Sequence, residues 1–186
     1  MALTTQSSTY ETKKNYQEIL TDLITIVGGS LFIALCAQIK IPLGFTPVPI
    51  TLQTLAVMIV GGFLGSRKGT LCVLLYLAEI SMGLPVAAGG ISNPLALIGL
   101  KGGYLIGMIA QAYLTGWIYE RAKTFRSFKV LFAVFLISIL QMGIGAFWLG
   151  MFVGMKNSFY MGFYPFLPGD IIKCIATVTF LRTLQD

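Results

Sequence analysis

Asp170 and Lys173 stand one helical turn apart near the start of the chain's final apolar stretch. A carboxylate accepts N–H donors, and an ammonium donates to a carbonyl or a carboxylate, so together they can meet both polarities of one ligand. Three residues along a helix rise about 4.5 Å and face nearly the same way. Charge inside a membrane helix is costly and marks a functional site by default. Two readings stand at this point. The pair either neutralises itself while snorkelling to the interface, or turns inward toward a polar ligand.

The elements that must position it follow from composition. The chain has 186 residues, 56% hydrophobic and only 11% charged, where a soluble domain carries about 25% charged residues. We expect an all-α integral membrane protein, a single domain over residues 1–186 with a polar cytoplasmic tail at 1–16. A span needs about 20 apolar residues. Six transmembrane helices are predicted, at 20–39, 50–65, 69–84, 101–119, 130–153 and 167–184, leaving no room for a soluble catalytic domain. The tail is not followed by the short apolar region and cleavage site of a signal peptide.

Several function classes are excluded on the same page. There is no histidine, and Cys36, Cys72 and Cys174 are scattered in apolar stretches, so neither a metal site nor a disulfide framework is expected. The net charge of +6 is not clustered with aromatics as in a nucleic-acid interface, and membrane topology accounts for it better. No Gly-x-x-x-x-Gly-Lys-Ser/Thr loop is present, so the chain does not itself use ATP. No nucleophile–base constellation marks an enzyme, and no cofactor is implied.

Lysine and arginine set the orientation. Lys13, Lys14, Arg67, Lys68, Arg121, Lys123, Arg126, Lys129 and Arg182 flank one side; Lys40, Lys101 and Lys156 flank the other. Nine against three places both termini in the cytoplasm. All seven prolines (Pro42, Pro47, Pro49, Pro85, Pro94, Pro165, Pro168) fall at the opposite, outer connections. Proline stiffens loops and stops helices, and irregular backbone at membrane depth is tolerated where it lines a cavity. A pocket open to the outside is expected. The uncharged loop 83–94 either lines it or is a surface loop with turn glycines.

Other polar residues fall at the same level. Gln53, with Thr51 and Thr54, begins the second helix and serves either a ligand or an interhelical hydrogen bond. Asn93 is a ligand group or simply a good turn residue before Pro94. Glu79 is a ligand group, a proton carrier, or a partner for Lys101 or Lys173. The aromatics Tyr104, Tyr160, Phe163, Tyr164 and Phe166 form an interfacial belt or pack on an apolar ligand ring. In the first helix, Ser30 and Ala34 give the small-x-x-x-small spacing that lets another helix, internal or from another subunit, approach closely.

Four motifs now carry a resemblance. Thr46-Pro47-Val48-Pro49-Ile50-Thr51-Leu52-Gln53-Thr54-Leu55, Gly83-Leu84-Pro85-Val86, Gly102-Gly103-Tyr104-Leu105 and Phe166-x-Pro168-x-Asp170-x-x-Lys173 occur in that order. Together they resemble the substrate-binding S components of energy-coupling factor biotin transporters, over nearly all of the chain beyond the tail. The resemblance implies a multi-pass protein of a prokaryotic cell membrane, embedded in the lipid bilayer, that captures biotin from outside. It implies partners: a transmembrane T component and two ABC ATPase subunits, which supply the ATP hydrolysis. It also implies docking on the T component through Ser30 and Ala34, although alanine is more usual at the first position. Asp170 is expected to accept from the ureido N–H groups, and Lys173 to donate to the ureido carbonyl or hold the carboxylate. Asn93 and Gln53 complete the polar contacts, with Tyr104 packed nearby. The family commonly has Gly-Pro-Thr before Gly-Gly-Tyr-Leu; this chain has Gly99-Leu100-Lys101, which puts Lys101 in the place of the threonine. Two other readings remain: an S component for another vitamin, and a proton-coupled carrier or channel using Glu79 and Asp170.

Overall fold

The computed structural model describes residues 2–90, 92–122 and 128–184, and only the backbone of 2–15. Ile91 of the outer loop and two basic residues used for orientation, Lys123 and Arg126, lie outside the described residues. The helices are α1 (Ala2–Gln38), α2 (Gln53–Ser81), α3 (Gly102–Arg121), α4 (Phe128–Val153), α5 (Met155–Gly162) and α6 (Leu167–Thr183). Among the described residues, three helical stretches are long and apolar enough to cross a membrane: Tyr16–Gln38, Gln53–Ser81 and Phe128–Val153.

The structure refines three expectations. The polar segment 1–16 is continuous with the first helix, since α1 begins at Ala2; no glycine or proline occurs between Ala2 and Val27 to stop it. The fold is mostly helical, with one short β ribbon. β1 (Lys40–Ile41) pairs antiparallel with β2 (Ile50–Thr51), Lys40 opposite Thr51, and this ribbon stays short because Pro42, Pro47 and Pro49 cannot donate to a ladder. The predicted link between the second and third spans shrinks to one residue. Gly65, at φ 82° and ψ 173°, interrupts α2 in a conformation essentially reserved for glycine.

That break reverses the chain. Gln53 Nε2 donates to Tyr76 Oη at 2.9 Å, a contact between residues 23 apart that a straight helix would hold about 35 Å apart. The arms, 53–64 and 66–81, therefore run antiparallel. They touch backbone to backbone. A Cβ at Gly69 would lie 2.7 Å from Gly61 Cα, and one at Gly61 would lie 3.1 Å from Ala112 Cα on α3. Small residues at crossings let van der Waals packing replace the hydrophobic drive that lipid cannot supply. Ile33, Val57, Val60, Val73, Leu77 and Met108 form a core between α1, α2 and α3, while Met58, Tyr119, Val134, Cys174 and Leu181 form a second between α2, α3, α4 and α6.

The two ends of the bundle differ. At one end the connections 39–52, 82–101 and 154–166 meet: Gly89 N–H donates to the Ala37 carbonyl at 3.2 Å, and Trp148 Nε1 to the Gly99 carbonyl at 3.0 Å. At the other, Lys68 pairs with Asp22, and the Glu120 carboxylate accepts from the Ser66 backbone N–H at 2.6 Å and its hydroxyl at 2.9 Å. These bonds cap the chain just past the Gly65 reversal. They hold the Glu120 carboxyl below its usual range, the Ser66 backbone N–H contributing most.

Gly65→Ala should therefore destabilise the fold by about 1–3 kcal/mol, read as a fall of several degrees in the melting temperature of detergent-purified protein. Gly28→Ala, where an added Cβ meets nothing within 4 Å, should leave it unchanged. Because the folded Glu120 carboxyl is depressed, its contribution is full above the unfolded value of about 4.3. It is lost as pH falls through the lower folded value. Melting temperatures of wild type and Glu120→Gln should accordingly converge on acidification below about pH 4.3.

Candidate functional site

The three connections at the first end roof a cavity of about 420 Å³, and α2, α3, α4 and α6 wall it. This is within the range of small-ligand sites. Its lining is mainly apolar, with Val48, Ala87, Leu105, Met108, Met142 and Phe166 among the wall residues. Asp170 and Lys173 lie in this wall, 3% and 8% exposed. The pair is therefore turned inward, not snorkelling.

Local sequence explains how α6 presents it. A 3-10 turn, Tyr164–Phe166, runs directly into α6, and Pro168 occupies the first turn, where its missing N–H breaks no helical hydrogen bond. Asp170 follows in that same turn, where the helix dipole favours an acid. Lys173 Nζ lies 3.1 Å from Asp170 Oδ1 and donates to Thr54 Oγ1 at 2.9 Å. Ser138 Oγ on α4 donates to Asp170 Oδ2 at 2.6 Å. Each carboxylate oxygen retains acceptor capacity, since a carboxylate offers about four lone-pair sites.

The remaining candidates divide. Gln53, 3% exposed, lines the cavity. Its amide nitrogen donates to Tyr76 Oη, and that hydroxyl donates onward to the Val86 carbonyl at 3.1 Å; this chain of bonds does not use the Gln53 carbonyl oxygen. Asn93 also reaches the lining, while its Oδ1 caps the turn Pro94–Leu97 by accepting from Leu95 N–H at 3.0 Å. The turn-residue reading of Asn93 therefore holds, and its side chain stands at the cavity at the same time. Tyr104 donates its hydroxyl to the Gly162 carbonyl at 2.7 Å and sets its ring beside Phe166, centroids 6.5 Å apart. It serves as an apolar wall.

Glu79 is not in the cavity lining. Its Oε2 accepts from Ser30 Oγ at 2.7 Å. The expectation that Ser30 and Ala34 present a surface to another subunit is not met here. Ser30 is fully buried, Ala34 is 6% exposed, and both lie on the face of α1 that packs on the second arm of α2. The small residues let a helix approach, and the helix is internal.

Three polar residues escaped the sequence reading. Ser138 supports Asp170, Gln141 lines the cavity and donates to the Tyr104 carbonyl at 2.9 Å, and Tyr76 orients Gln53. For the first two a signal existed. Ser138 and Gln141 sit at i and i+3 inside the apolar stretch of α4, and the argument applied to Asp170 and Lys173 applies to them. Tyr76 carries no such signal.

The comparisons with known proteins bear on this site. The model of the BioY family matches residues 6–186. The chain belongs to the BioY family. Among its relatives, the biotin transporter BioY of Rhodobacter capsulatus is 38% identical, the match covering 88% of this chain and 93% of the relative. The biotin transporter BioY of Lactococcus lactis subsp. cremoris is 36% identical over 91% of this chain and 88% of its own. A crystal structure of the S-component for biotin from an ECF-type ABC transporter superposes with a TM-score of 0.81 at 32% identity, covering 91% of this chain and 93% of that one. The cavity lining draws on three of the four motifs quoted above, through Val48, Pro49, Thr51, Gln53, Thr54, Tyr104, Leu105, Phe166, Asp170 and Lys173; Gly83-Leu84-Pro85-Val86 lies outside it.

Removing one member of a buried pair strands the other charge. Lys173→Met should cost about 3–5 kcal/mol, whereas Asp170→Asn combined with Lys173→Met should recover much of that loss. Thermal unfolding of the four proteins of this double-mutant cycle measures it.

Proposed function

We propose that this BioY-family protein is the biotin-capturing S component of an energy-coupling factor transporter. The observation that carries the reading is the buried Asp170–Lys173 pair in the wall of an otherwise apolar cavity, in a chain 38% identical to a biotin transporter. Biotin has two ureido N–H donors, one carbonyl acceptor, an apolar bicycle and chain, and a terminal carboxylate. In this assignment Asp170 accepts from the ureido N–H groups and Lys173 donates to the ureido carbonyl. The Gln53 carbonyl and the Asn93 amide complete the polar set. Tyr104 and Phe166 pack on the apolar body.

The chain is read as one membrane domain over 1–186, crossing the bilayer of the cell six times: α1, the two arms of α2, α3, α4 and α6. Both termini then lie in the cytoplasm, supported by the nine-to-three distribution of basic flanks, and the cavity opens outward. Transport requires a transmembrane T component and two ABC ATPases. The chain itself is not an enzyme, and biotin is cargo, not cofactor.

Charge-assisted hydrogen bonds contribute about 1.5–3 kcal/mol each; a few of them plus apolar burial support nanomolar affinity, about −12 kcal/mol. Calorimetric titration of purified protein should show saturable biotin binding that excess thiamin or riboflavin does not displace. Asp170→Asn should weaken it by roughly 10–100-fold. A wild-type protein that does not bind biotin, or an Asp170→Asn variant that binds as tightly, would refute the assignment.

A further inference from the structure

A second, smaller cavity adjoins the first as an annex that the ureido assignment does not use. This annex, about 160 Å³, lies under the β1–β2 connection and shares Pro49, Ala88 and Lys101 with the main cavity. Its two charged walls are both lysines, Lys40 from β1 and Lys101 from the N-cap of α3. Both side chains line this one small space. Among the described residues neither meets a carboxylate within ion-pair distance. The Lys40 stem lies along Gly89, where an added Cβ would collide with it and where φ is +79°. The loop backbone thus leaves a trough for this side chain.

Charge balance separates the two ends of the cavity. In the buried wall, Lys173 is already neutralised by Asp170 at 3.1 Å. A ligand carboxylate brought there would place a second negative charge beside Asp170, out of water and without its own counter-ion, which is strongly unfavourable. At the annex the sign is reversed: its lining holds two lysines and no acidic side chain, and the start of α3 adds the positive end of a helix dipole. A neutral, hydrogen-bonding head suits the first environment, and an anionic tail suits the second.

We propose that Lys40 and Lys101 form a carboxylate subsite at the mouth of the cavity, which fixes the ligand head-inward and selects for acids. The proposal rests on the biotin reading and assigns the carboxylate that reading leaves unplaced. It makes Lys101 a specificity residue peculiar to chains with lysine in place of threonine.

The test compares biotin with biotin methyl ester, which keeps the head and chain and removes the negative charge. Binding of both is measured by calorimetry on the full chain in detergent, for wild type, Lys40→Gln with Lys101→Gln, and Lys40→Arg with Lys101→Arg. Wild type should prefer the acid by roughly 10–100-fold. The glutamine double variant should lose that preference while its affinity for the ester stays within about threefold of wild type, which also shows that the cavity is folded. The arginine double variant should keep the preference. A glutamine variant that retains the wild-type preference, an equal loss of acid and ester, or a wild type that binds both compounds equally overturns the subsite. Failure of wild type to bind either compound overturns the biotin reading itself, and the subsite with it.

Discussion

Two opposite charges held out of water must satisfy each other and find further hydrogen-bonding partners around them. Asp170 and Lys173 do this by drawing in two other helices: Ser138 from α4 to one carboxylate oxygen and Thr54 from α2 to the ammonium. The desolvation of a buried pair is repaid only by such geometry. The pair therefore determines more than its own position. It sets the height at which α6 docks, the rotation that turns its polar face inward, and the spacing of α2 and α4 across the cavity.

The rest of the architecture serves that constraint. Lipid offers no hydrophobic gain for bringing helices together, so close packing must hold them. The glycines at 61 and 69 bring the arms of α2 and the flank of α3 to backbone contact. The bundle is thus tight at its Gly65 end, where Glu120 and Lys68 tie helices together, and open at the end with proline-bearing connections. Rigidity at one end and shaped loops at the other are the conditions under which a cavity can stay open without collapsing.

Much of this was legible in the sequence, because charge and proline are conspicuous in an apolar chain. Asp170 and Lys173 stood out by type and spacing, and the proline-bearing connections do converge over the cavity. Gln53, Asn93 and Tyr104 all reach its lining, although each also makes an internal hydrogen bond that its residue type could not reveal. The reversal at Gly65 was illegible as a tight turn, since the segment Gly65-Ser66-Arg67-Lys68 reads as an ordinary basic link. The inward facing of Ser30 and Ala34 was hidden for a different reason: small-residue spacing tells that something approaches, not whether it belongs to the same chain. Ser138 was overlooked because a serine is cheap in a membrane helix and draws no attention beside a lysine.

The contacts that define the cavity have a consequence for how the protein is made. Thr54 meets Lys173 across 119 residues of chain, and Ser138 meets Asp170 across 32. Both bonds wait for α6, which leaves the ribosome after every other wall element. Until then the half-built bundle contains a cleft with amides, hydroxyls and the ammonium of Lys101, but without the paired charges of its inner wall. The arrival of α6 brings the two charges into the membrane together, each already masked by its neighbour one turn away. Synthesis of the final helix is thus the moment at which the cavity both closes and becomes competent to bind.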